Sequence, residues 1–159
     1  MNDPFTFALQ YLMVSAVAGV AGAFAMNGFM RLVTRSGEVE VNMIEALASL
    51  FTGRLDNALR VGTAIHLGSG VFFGLVYALL MIWIQPGGLP RTLFLGLGFG
   101  FFHGLLVAYF LMFMVAERHP IEKYRKATFS VGLVHLIGHV VYGAVVGLII
   151  GLVPALTTG

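Results

Sequence analysis

Four of the five histidines lie inside long apolar stretches of the sequence, where they are the residues best able to do chemistry; they are His66, His103, His135 and His139. A neutral imidazole ligates haem iron, copper and non-haem iron, and two histidines four positions apart share one face of a helix. The four are therefore candidate ligands for haem b or a transition metal. Alternatively, each donates a hydrogen bond to a backbone carbonyl or a hydroxyl and ties two helices together. The lack of a carboxylate beside the histidine pair favours this second interpretation.

Few other reactive groups are present. The chain has no cysteine, which excludes disulfides, thiolate metal sites and iron–sulfur clusters. No Asp, Glu, Lys or Arg lies deep inside an apolar stretch, and this counts against proton-coupled carriers and voltage sensors. Phosphate-binding loops, nucleophile elbows and zinc-protease helices are also absent from the sequence. We therefore name no catalytic residue and expect that the chain is not an enzyme by itself.

The composition is that of a membrane protein. Of the 159 residues, 58% are hydrophobic and 10% are charged, whereas a soluble domain has about 25% charged residues. A water-soluble globular enzyme and a disordered chain are both excluded. The nine Lys and Arg residues are spread over the ends of the apolar stretches, so the expected partner is the lipid bilayer and not nucleic acid.

Four apolar stretches are long enough to cross a bilayer as helices. They cover residues 7–33, 58–84, 93–116 and 129–152. The sequence therefore predicts an all-α membrane protein, with one four-helix domain over residues 1–159.

The sequence also predicts the structure of two connections between the spans. Residues 85–90, rich in Pro and Gly, predict a short turn that makes the second and third spans antiparallel neighbours. Residues 41–52 carry apolar side chains at helical spacing and are followed by Gly53. This pattern predicts an amphipathic helix of about those bounds that lies in the membrane interface.

The basic residues predict the orientation in the membrane. Eight of the nine lie in the two longer loops, namely Arg31, Arg35, Arg54, Arg60, Arg118, Lys123, Arg125 and Lys126, and the ninth is Arg91. Because positive charge is retained on the cytoplasmic side, we expect both basic loops in the cytoplasm and both termini outside.

Rows of glycines at four-residue spacing predict close helix packing; they contain Gly70, Gly74, Gly96, Gly100, Gly104, Gly143, Gly147 and Gly151. Small residues on such a ridge let helix backbones approach each other in lipid. The rows in the second and fourth spans each continue a row of histidines, and residues 66–76 can be aligned with residues 135–145. We interpret this as two hairpins related by a pseudo-twofold axis along the membrane normal.

The segments His66-Leu67-x-x-Gly70-x-x-x-Gly74 and Val141-Tyr142-Gly143-x-x-x-Gly147, with a first span rich in Ala and Gly, resemble small four-helix prokaryotic inner-membrane proteins of the YagU-like kind, whose function is undetermined. The resemblance implies a multi-pass protein of a bacterial or archaeal plasma membrane. It implies no activity and assigns no residue a role.

Three functions are compatible with these features. The first is a non-catalytic accessory or assembly subunit of a larger membrane complex, respiratory or electron-transferring, because the glycine rows could seat a helix of another subunit or of a second copy. The alternative is a redox subunit that binds haem or a metal through His66, His103, His135 and His139. The third is a small transporter or channel along the glycine-lined interior.

Overall fold

Helices make up most of the chain that the structure describes. The computed structural model describes residues 3–37, 39, 42–111, 116–125 and 128–157. The helices are α1 (Pro4–Ser36), α2 (Met43–Thr52), α3 (Ala58–Ile84), α4 (Arg91–Phe110), the single turn α5 (Ala116–Arg118) and α6 (Phe129–Gly151). Short 3₁₀ turns cover Glu122–Tyr124 and Pro154–Leu156, and no strand occurs in the described ranges.

The predicted all-α class and the four long helices are confirmed. Helices α1, α3, α4 and α6 are each long and apolar enough to cross a membrane. Helix α4 covers the predicted third span as far as Phe110. Residues 112–115 of that span, and Val41 of the predicted interfacial helix, lie outside the described residues.

Local sequence signals set several helix ends. The carboxylate of Asp3 accepts hydrogen bonds from the backbone N–H groups of Phe5 and Thr6, each at 3.0 Å, and so caps the start of α1. Gly37 and Gly53 follow α1 and α2 with φ angles of 79° and 65°, a conformation that glycine adopts without steric cost. Gly53 therefore ends α2 as predicted.

The four long helices form a row rather than a closed ring. Helix α3 packs against α1, α1 against α6, and α6 against α4, so that α3 and α4 lie at the two ends of the row. Although residues 85–90 join α3 directly to α4, the backbones of these two helices come close at few points. The short turn thus makes them neighbours in sequence, but their closest packing partners are α1 and α6.

Glycine contacts explain this order. A Cβ atom added to Gly96 of α4 would overlap the carbonyl oxygen of Gly143 in α6, and one added to Gly74 of α3 would overlap that of Ser15 in α1. Backbones this close gain dispersion contacts that lipid cannot supply. All eight glycines predicted to pack helices are buried; the pseudo-twofold relation between the two hairpins remains a prediction.

The close approach of α4 and α6 gives a matched test on one helix. We expect Gly96→Ala to lower the free energy of unfolding by about 1–3 kcal/mol, because the added methyl group forces the two helices apart. Gly98→Ala is the control, since nothing lies within 4 Å of a Cβ at Gly98. Thermal unfolding of both variants in the same detergent makes the comparison. Equal melting temperatures for the two variants would contradict the packing described here.

Candidate functional site

A cavity of about 450 Å³ lies between α3 and α4, the two helices at the ends of the row. Helices α1 and α6 form its back wall, and α2 lies across the end opposite residues 85–90. Most of its lining is apolar, and this part includes Met26, Met43, Leu47, Phe73, Val107 and Val131. We call it the histidine cavity, because all four histidines predicted as site residues line it: His66, His103, His135 and His139.

The two histidines of α6 bind their own helix. Nδ1 of His135 donates to the carbonyl oxygen of Val131 at 2.8 Å, and Nδ1 of His139 donates to the carbonyl oxygen of His135 at 2.7 Å. A carbonyl oxygen only accepts hydrogen bonds, so the proton of each neutral ring is on Nδ1. Nε2 of both rings then carries a lone pair.

The other two histidines connect different helices, as the hydrogen-bonding interpretation expected. Nε2 of His66 on α3 lies 3.4 Å from the carbonyl oxygen of Ala23 on α1. Nδ1 of His103 on α4 lies 3.3 Å from the hydroxyl of Tyr77 on α3, and either group can donate. These contacts join α3 to its neighbours at the level of the cavity.

One polar atom of the cavity wall lacks a partner. His135 is 3% exposed, and among the described residues its Nε2 is buried without any hydrogen bond. A buried acceptor that has lost its water without gaining a donor typically costs about 1–3 kcal/mol. Such atoms are uncommon in folded proteins, and each calls for an explanation such as a bound water, an ion or a functional role.

Aromatic rings close the cavity towards residues 85–90. The ring of Phe73 lies 3.9 Å from that of His103, centre to centre, and Tyr77 lies 5.3 Å from Phe99 and 5.6 Å from Tyr142. The Tyr142 hydroxyl donates to the carbonyl oxygen of Gly70 at 2.7 Å and so joins α6 to α3. Phe73 and Tyr77 of α3 therefore contact His103 and Phe99 of α4 through their rings.

Helix α2 is held across the other end by the loop that precedes α6. His119, which is fully buried, donates from Nε2 to the carbonyl oxygen of Ala46 at 3.0 Å and accepts at Nδ1 from the N–H of Ile121. The hydroxyl of Tyr124 donates to Glu45 at 2.9 Å. No pattern in the sequence predicts this role of His119, because its partner in α2 is 73 residues away and a loop has no periodicity.

The four cavity histidines line one space. Within the described part of the chain, no group of three or more His, Asp or Glu side chains is placed to hold a metal ion. Each ring is instead oriented by a hydrogen bond to a carbonyl oxygen or to the Tyr77 hydroxyl. Ligation of haem by one or two of these histidines remains a prediction.

Comparison with known proteins gives one match. The model of a family of unknown function, DUF6789, matches residues 9–158. No curated protein and no solved structure matches the chain significantly.

The contact between His119 and Ala46 predicts how firmly α2 is held. We expect His119→Phe to speed backbone amide hydrogen exchange in α2 about tenfold, because the variant keeps the ring but loses its hydrogen bonds. Exchange in α6 should be unchanged. The exposed neighbour Arg118 provides the control variant Arg118→Ala. Unchanged exchange in α2 of His119→Phe would show that this histidine does not hold the helix.

Proposed function

Because the chain belongs to the DUF6789 family of unknown function, we propose its function from geometry: it is a membrane protein that binds a small apolar molecule in the histidine cavity. The observation that carries the proposal is the cavity of about 450 Å³. Sites for small molecules and cofactors typically measure about 300–1,000 Å³ and combine apolar walls with a few placed polar groups. The histidine cavity has both features.

Its position in the row supports access from the bilayer. The cavity lies between α3 and α4, whose backbones come close at few points. At the α2 end of the gap, the side chain of Phe110 on α4 is 49% exposed, and that of Val107 is partly buried in the cavity wall. An apolar molecule dissolved in lipid could therefore enter between the two helices without crossing water.

We further propose an orientation in which α2 faces the cytoplasm. Apart from Lys126, which lies outside the described residues, the basic residues of the two longer loops all lie towards the α2 end of the bundle. The positive-inside tendency then places both termini outside. Phe51 on α2 is 72% exposed, which suits a helix lying in the membrane interface. A multi-pass protein of a prokaryotic plasma membrane, as the resemblance implies, fits this arrangement.

The role as an accessory subunit stays a prediction. That prediction relied on glycine rows free to seat a further helix, but the backbones of α1, α4 and α6 occupy the rows within this chain. Binding to other subunits or to a second copy remains a prediction, as does a transporter or channel. The ligand-binding proposal names a site, the histidine cavity. The accessory-subunit and transporter predictions name none.

Blocking the cavity tests the proposal. We expect protein purified from native membranes in a mild detergent to carry a small molecule, detected by mass spectrometry of the extracted sample. Val107→Phe should reduce its occupancy at least about tenfold, because the larger ring fills the cavity. A visible spectrum of the same preparation tests haem, and metal analysis tests a bound ion.

Leu106→Phe provides the matched control. Leu106 precedes Val107 on α4 but is 71% exposed and does not line the cavity, so this variant should keep full occupancy. Wild-type protein without a bound small molecule, or a Val107→Phe variant that retains it, would contradict the proposed function.

A further inference from the structure

The polar atoms of the α6 wall indicate what head group a ligand would need. We propose that the histidine cavity takes an apolar molecule headed by a hydroxyl group, which donates its hydrogen bond to Nε2 of His135 or His139. This inference depends on the proposed function, since it names the class of ligand for the same cavity. The common chemistry is an O–H donor on an apolar body, as in a long-chain alcohol, a phenol or a hydroquinone.

The ring nitrogens of His135 and His139 determine what a ligand can offer them. Nδ1 of both α6 histidines is already used on backbone carbonyl oxygens, at 2.8 and 2.7 Å. Their Nε2 atoms can therefore only accept. Because the two residues are four positions apart, they lie on the same face of α6. Helix α6 therefore carries two Nε2 acceptors one turn apart, of which that of His135 is covered by protein atoms.

One of these two acceptors has no donor among the described residues of the protein. In the parts of the chain that the structure describes, Nε2 of His135 is buried and has no hydrogen-bond partner. The nearby hydroxyl of Tyr142 donates instead to the carbonyl oxygen of Gly70. A ligand hydroxyl that entered with a small shift of the ring would supply the missing donor.

The charges of the cavity lining favour neutral histidine rings. Among the described residues that line the cavity, none is Asp or Glu, so an imidazolium would have no anionic partner in an apolar wall. Burying an unpaired charge is far more costly than burying a neutral ring. The neutral rings favour a neutral donor. Carbonyl head groups, such as that of a quinone, would set an acceptor against an acceptor.

A pair of probes that differ only in the donor tests the inference on the whole protein in nanodiscs. Para-octylphenol and its methyl ether have nearly the same shape, but only the phenol can donate. We expect the phenol to bind the wild-type protein about tenfold more tightly than the ether. The preference should shrink in His135→Phe or in His139→Phe, whichever removes the acceptor, while Ser130→Ala, an exposed site on α6, should keep it.

The outcomes separate the two proposals. If neither probe binds, both the ligand-binding function and this inference are wrong. If both bind equally, or if the preference survives in both histidine variants, the cavity binds apolar molecules but the hydroxyl inference is wrong. Should the histidine variants fail to fold, the wild-type preference decides, together with the ¹⁵N resonances of Nε2 in His135 and His139, at least one of which must move on adding the phenol and stay on adding the ether.

Competition then distinguishes the sources of the hydroxyl. Decyl hydroquinone and dodecanol are each added against the bound phenol. Displacement by the hydroquinone alone supports a quinol head group, and displacement by dodecanol supports a simple alcohol. Failure of both to displace the phenol would overturn the inference.

Discussion

Close backbone contact at glycines is the constraint on which the rest of this structure depends. In lipid, no hydrophobic effect drives helices together, so association relies on dispersion and on hydrogen bonds. In this chain the tightest contacts join α1 to α3 and α4 to α6, where a methyl group on Gly74 or Gly96 would overlap a carbonyl oxygen of the facing helix. Because α1 also packs on α6, the glycines fix a row and keep α3 apart from α4.

The cavity follows from that row. Helices at opposite ends of a row cannot fill the space between them with backbone, and here aromatic rings fill only the half nearer residues 85–90. The other half stays open beneath α2, which His119 and Tyr124 hold in place. The glycine contacts that pack α3 on α1 and α4 on α6 therefore also leave the space between α3 and α4 open.

The sequence predicted the elements well and their arrangement less well. Apolar length was enough to locate the four long helices, and the spacing of apolar residues before Gly53 was enough to locate α2. The rows that contain Gly96 and Gly143 correctly marked close packing, but a row does not say which helix faces it. The Pro- and Gly-rich turn at 85–90 predicted that α3 and α4 are neighbours. Their side chains do meet, as at Phe73 and His103, but the closest backbone contacts join each of them to another helix. The four histidines could be named from their depth, whereas His119 could not, since only the folded chain brings it to Ala46.

The central claim is that an apolar molecule occupies the space between α3 and α4, and photolabelling in the bilayer tests it most directly. An alkylphenol that carries a diazirine would be activated in nanodiscs containing the protein, and the labelled peptides identified by mass spectrometry. We predict saturable labelling at cavity residues on separate helices, Met26, Leu47 and Val107, which unlabelled phenol suppresses. Labelling confined to lipid-facing residues such as Phe72 and Leu106, and insensitive to competitor, would contradict it.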